Sequence, residues 1–206
     1  MNPERTDDVL LISSDGLIRS LRGYPKPQEK QKEMALTLNY SNEDDRAFGL
    51  AGMTISLASL DAIDKVVGIS LDADGPMVTF SQEYYYSLSP AVSPKMVWEN
   101  LIRNFHLTAS MVVANVLARS LVRLGEEAPK EVMDKVYSEI EQEGLETCGL
   151  EKDEVESFYN RIFMQNRRIF GNPRLRPAIS ELASMISRKR NMSGLEIRDE
   201  LNYLQL

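Results

Sequence analysis

Apolar positions repeat in two different ways along this chain, and the repeat changes near residue 90. From Pro94 to Leu124, Trp98, Leu101, Ile102, Phe105, Ala109, Val112, Val116 and Leu117 recur at steps of three and four, the period of a helix. Ser93 suits an N-cap, Pro94 the first turn and Gly125 the stop. The span predicts one helix of about 46 Å. Its polar face is wide early (Glu99, Arg103, His106, Ser110) and narrows later to Asn115, Arg119 and Arg123. The helix should therefore begin half exposed and end mostly buried, with Trp98, Phe105, Val112 and Val116 at the centre of the core. A helix of that length needs several partners, so the C-terminal part reads as a bundle.

Four further helices complete it. Pro129 opens one carrying Val132, Val136 and Ile140, which Gly144 should stop. Glu151 to Phe170 carries Val155, Phe158, Tyr159, Ile162, Phe163, Ile169 and Phe170 on one side. The next begins at Pro177, runs to Arg190 and turns Ile179, Leu182, Ala183 and Ile186 inward. Ser193-Gly194-Leu195-Glu196 has the form of a capping box and opens the last, with Ile197, Leu201 and Leu204. No fixed period relates these helices, which argues against a solenoid.

Before residue 90 the pattern is shorter and favours strands. Val9–Ile12 and Leu17–Leu21 flank a Ser-Ser-Asp-Gly turn, a plausible hairpin. Arg22 to Lys32 reads as a loop, Met34 to Tyr40 as a strand and Ser41 to Arg46 as an acidic turn. Leu50, Met53, Leu57 and Leu60 mark a helix over 48–64, and its small residues Gly49, Ala51, Gly52, Ser56 and Ser59 would let another element approach closely. The clearest hairpin is 66–86, turning at Asp72-Ala73-Asp74-Gly75. Tyr84, Tyr85 and Tyr86 must alternate faces if extended, so part of this triplet is a candidate interface. The expectation is an α+β fold: residues 1–90 with small antiparallel β elements and one helix, then a mainly α five-helix bundle over 91–206. The two parts should share one core, because such short strands are marginal alone.

Composition narrows the class. A chain of 206 residues with 43% hydrophobic and 27% charged residues can bury a sizeable core and is not a disordered polyampholyte. The polar N-terminus lacks a signal-like apolar stretch, and Arg103 and Arg119 closely flank the most apolar run, Leu107 to Ala118. The expectation is a soluble, cytoplasmic protein without a membrane partner. Cys148 is the single cysteine and His106 the single histidine, so neither an internal disulfide nor a cysteine–histidine zinc site can form.

Motifs that carry chemistry are mostly missing. No Gly-Lys-Ser or Gly-Lys-Thr occurs, and Gly49-Leu50-Ala51-Gly52 lacks the Rossmann pattern and its leading strand. Asp72, Asp74 and Glu83 have calcium-loop offsets, but Pro76 and Met77 stand where an oxygen ligand and a glycine are required. His106 has no local nucleophile motif, and Cys148 reads as an inert thiol between helices. The carboxylates Glu131, Asp134 and Glu139 read as a solvated face. No catalytic residue, metal or cofactor is assigned.

Charge supplies the remaining signal. The net charge is −7, yet Glu126 to Glu156 holds 12 acidic and 3 basic residues, whereas Ser157 to Leu206 holds 9 basic and 4 acidic. Arg167, Arg168, Arg174, Arg176, Arg188, Lys189 and Arg190 are the candidate anion or nucleic-acid contacts, and the last two helices have helix-turn-helix dimensions. Glu196, Asp199 and Glu200 would oppose DNA phosphates, so pairing of these cations with the acidic block is preferred. The leading reading is a non-enzymatic interaction or scaffold protein whose partner is another protein or a second copy, as a homodimer. The alternatives are a nucleic-acid-binding regulator using the arginine-rich helices and an enzyme with a motif-less pocket between sheet and bundle.

Overall fold

A computed structural model describes residues 38–82, Tyr84 and 93–206, together with the backbone of two short strands. Those strands, β1 (Leu11–Ile12) and β2 (Ile18–Arg19), pair antiparallel with Ile12 opposite Ile18, where the sequence places its first hairpin. The loop over 22–32 and most of the strand over 34–40 lie outside the described residues, and 38–40 are irregular.

Helix α1 (Glu43–Ser59) begins five residues earlier and ends five earlier than the 48–64 pattern suggests. The reason is its cap. Asn42 accepts a hydrogen bond from the Asp45 N–H at 2.8 Å, and Glu43, Asp44 and Asp45 then sit at the positive end of the helix dipole. The acidic stretch that reads as a turn is thus the first turn of a helix. A short 3-10 turn (Ile63–Lys65) leads into β3 (Val66–Ser70), which pairs antiparallel with β4 (Val78–Phe80). This is the hairpin the Asp-Gly turn predicts, with a shorter second arm.

Helix α2 (Pro94–Leu117) is capped by Ser93 and carries Pro94 in its first turn. It continues as a π-helical segment, Ala118–Leu124, and stops at Gly125, whose φ of 74° is left-handed. Burial begins at Asn104, and Phe105, Val112 and Val116 are all at most 2% exposed. Trp98 is the exception to the expected core row. It is 52% exposed, in the half-exposed first turns of α2, where burial begins only at Asn104.

Against α2 pack α1, α3 (Lys130–Glu146) and α4 (Lys152–Phe170), while α5 (Arg176–Lys189) lies on α1 and the π-helical end of α2, and α6 (Gly194–Leu204) on α5 and β3. Gly144 does not end α3. It lies inside the helix, where an added Cβ would stand 2.7 Å from the Val155 side chain, so it permits α4 to approach. The contact of α1 with α2 is equally close: a Cβ on Gly52 would fall 2.6 Å from the Ala114 carbonyl oxygen and from the Ala118 Cβ. Gly49 and Gly52 serve the close packing that the sequence suggests, whereas Ser59 is exposed.

The link between the last two helices is not a helix-turn-helix corner. Asn191–Ser193 forms β5, which pairs antiparallel with β3 on the edge opposite β4, with Ile69 opposite Met192. Its alternating burial puts Met192 into the core, while Ser193 still caps α6 through the predicted box with Glu196. The result is an α+β fold: among the described residues, six helices with a three-stranded antiparallel sheet of order β4-β3-β5. One cluster of buried side chains joins Leu50, Ile69, Val112, Ile162, Leu182 and Met192 across both halves.

Candidate functional site

The strongest concentration of polar chemistry lies where the start of α1 meets the π-helical end of α2. Asp45 and Arg119 are each 1% exposed and form a two-pronged pair, Nε to Oδ1 at 2.8 Å and Nη2 to Oδ2 at 2.7 Å. Arg119 also donates to the carbonyl of Asn39 at 3.0 Å, and its guanidinium lies 4.8 Å from the Tyr40 ring centre. Asp45 accepts further from the Ser41 N–H at 2.9 Å and from Arg123 at 3.2 Å, while Arg123 reaches Asp44 at 2.7 Å. Burial alone would raise the Asp45 carboxyl. The hydrogen bonds from Arg119 and Ser41 and the charges of Arg119 and Arg123 outweigh it and hold the group below the usual range. Tyr40 accepts from Asn115 Nδ2 at 2.6 Å, and burial pushes its phenol up to about 12, so it stays neutral.

Beside this seam opens a cleft of about 480 Å³. Tyr40 and Asn42 form one side, Leu71 and Asp72 at the end of β3 another, and Arg46 and Arg190 complete the lining. Arg190 clasps three elements: it donates to both Asp72 oxygens and, at 2.8 Å, to Glu43, while its carbonyl accepts from the Leu71 N–H at 2.7 Å. Its φ of 61° is unusual for a residue with a side chain. The hydrogen bonds from Arg190 hold the Asp72 carboxyl below its ordinary range.

The cations singled out in the sequence differ in their partners. Arg167 pairs with Glu127 at 2.8 Å, within the acidic block as anticipated. Lys189 instead faces Glu196 and Glu200, each at 3.4 Å, and Arg190 turns to Asp72 and Glu43. Arg168, Arg174 and Arg188 are exposed and Arg176 is half-buried. Arg176 and Arg188 sit at opposite ends of α5, about 18 Å apart along its axis. Tyr84 points inward, 5% exposed and stacked on Phe80 at 4.2 Å, whereas Tyr85 and Tyr86 lie outside the described residues.

Neither His106 nor Cys148 lines the cleft. His106 packs edge-on against Phe158 at 5.0 Å, and burial, reinforced by the charge of Arg161, lowers its pKa. Burial, with a contribution from Glu143, pushes the Cys148 thiol up to about 12, far from a reactive thiolate. Among the described residues no group of three histidine, cysteine or acidic side chains is placed to hold a metal.

Large apolar side chains exposed at the surface include Met96 (51%) and Trp98 (52%) at the start of α2, as well as Val67, Met164, Leu195 and Tyr203. Pro94–Leu124 is long and apolar enough to cross a membrane, yet 89% of its most apolar window is buried inside the fold. The fold defines the chain as an α+β protein with a mainly helical bundle and a small antiparallel sheet. Comparison with protein families and with curated proteins returns no match.

The buried pair and the cleft were missed by sequence reasoning. The available signal was an arginine set in a nearly continuous apolar run, which demands a buried carboxylate somewhere. Nothing local says that the carboxylate is Asp45, 74 positions away.

Proposed function

We propose that this is a non-enzymatic interaction protein that associates with a second copy of itself through the first turns of α2. The observation that carries the reading is the exposure of Trp98 near the start of a helix that is largely buried from Asn104 to Leu121. Aromatic residues and methionine are enriched at the centre of interfaces, where a large side chain removes much apolar area from water. The same turns carry Lys95 and Glu99, a salt-bridged pair at 3.8 Å. Across a two-fold axis with the helices antiparallel, Lys95 of one copy would face Glu99 of the other, the self-complementarity that an isologous contact needs.

Trp98 is the only tryptophan, so the chain carries its own probe. Light scattering at micromolar concentration should return twice the 23.3 kDa chain mass, and tryptophan emission should shift to the blue as concentration rises. Trp98→Glu should leave a folded monomer. A 23.3 kDa species at every concentration would remove the self-association reading.

A further inference from the structure

We propose that the outer face of the second half of α4, with the turn that follows it, binds the phosphate backbone of a single-stranded nucleic acid. The observation behind this is a local excess of cations that carboxylates do not offset. From Ser157 to Ser180 the chain carries five arginines, no lysine and no acidic residue, and Glu181 is the next acid along it. Only Arg167 reaches the acidic block, at Glu127. Among the described residues, Arg161, Arg168, Arg174 and Arg176 pair with no carboxylate. The first three are exposed. Arg176 is half-buried, and its Nε is shut off from water without an acceptor. Arg161 sits over the Phe158 ring at 5.6 Å from its centre, a contact that spends none of its N–H groups on an acceptor.

The geometry chooses the ligand. Arg161 and Arg168 are two helical turns apart on one face of α4, about 10 Å along its axis, with exposed Met164 between them. The planar guanidinium takes two phosphate oxygens at once, and Met164 offers an apolar contact to a base. The turn between Phe170 and Arg176 is short, which keeps Arg174 and Arg176 near the end of this stripe. The same face of α4 begins with acids: Asp153 and Glu156 line one open depression with Arg161 and Met164. A stiff duplex laid along α4 would carry its phosphates over those two carboxylates. A single strand can cross at Arg161 and Arg168 and bend with the turn toward Arg174. The footprint also avoids α6, where Glu196 and Glu200 face Lys189. Trp98 lies on a different helix, so this binding does not require self-association.

The test is fluorescence anisotropy of a labelled oligouridylate titrated with the full chain, beside duplex DNA, polyglutamate and phosphatidylserine vesicles. The expected result is saturable binding of the oligouridylate at low salt, with a log–log salt slope of about −2.8 for four neutralised phosphates. Duplex, polyglutamate and vesicles should bind at least tenfold more weakly. Arg161→Ala, Arg168→Ala and Arg174→Ala together should weaken binding at least tenfold, with a slope reduced to about −0.7. The melting temperature should hold, since all three side chains are exposed. Arg188→Ala, at the far end of α5, should bind like the parent. Absence of saturable binding, preference for polyglutamate or vesicles, a triple variant that binds like the parent, or an equal loss in Arg188→Ala overturns the proposal. Should the triple variant fail to fold, Arg168→Ala alone decides: a shallower salt slope supports the proposal and an unchanged one overturns it.

Discussion

Asp45 and Arg119 are 74 positions apart in the chain and meet in a two-pronged ion pair from which water is excluded. The pair joins the first turn of α1 to the end of the central helix, and Tyr40, Asn115, Arg123 and the carbonyl of Asn39 complete its shell. A buried charge left alone is far more costly than a pair replaced whole. Arg119→Met or Asp45→Ala should therefore each lose about 3–5 kcal/mol. The double variant should lose clearly less than the sum of the two, as read by urea denaturation of all four proteins.

The same carboxylate sets an acid limb. Asp45 ionises below its unfolded value of about 3.9. Its contribution is complete above that pH and disappears as pH falls through the depressed folded value. Stability measured from pH 6 downward should drop below about pH 4. In Asp45→Asn this part of the slope should be missing.

Val112 is 2% exposed in the middle of α2, with no polar group assigned to meet a new charge. Val112→Asp should abolish the cooperative thermal transition, since an unpaired buried carboxylate costs several kcal/mol. A normal melt would show that the core does not depend on this face.

Gly52 tests the close contact of α1 with α2. The added Cβ of Gly52→Ala would lie 2.6 Å from the Ala114 carbonyl oxygen, a backbone atom that cannot step aside alone. The expected loss is about 1–3 kcal/mol, the range for overpacking. Gly75→Ala, which meets nothing within 4 Å, is the control and should change stability by less than about 0.5 kcal/mol.

Cys148 is buried, and its thiol is pushed up to about 12. An aromatic disulfide reagent at pH 8 should leave the native protein unmodified and react at once in denaturant. The unfolded thiol ionises first, near 8.5. Stability tied to this group is therefore whole below that pH and is lost as pH rises toward 12.

Periodicity along the chain determined what depends on neighbours in sequence. The long helix, its Ser93 and Gly125 ends, the Ser193–Glu196 capping box and the hairpin after Val66 all follow from spacing, caps and turn residues. These are local effects, each closed within a few residues. Boundaries failed where a local signal had two meanings. Three acids in a row suit a turn as well as a helix start, and only the Asn42 cap and the pull of Arg119 on Asp45 decide for the helix. Trp98 lies on the apolar face of α2 yet is 52% exposed, and periodicity alone does not say how much of a face tertiary neighbours cover. β5 could not be read from Asn191-Met192-Ser193, since a three-residue strand exists only through the partner it finds in β3. Tertiary structure alone brought Asp45 to Arg119 and Arg190 to Asp72 and Glu43. Periodicity can say that a charge lies on a buried face, but its partner is chosen by how distant segments pack.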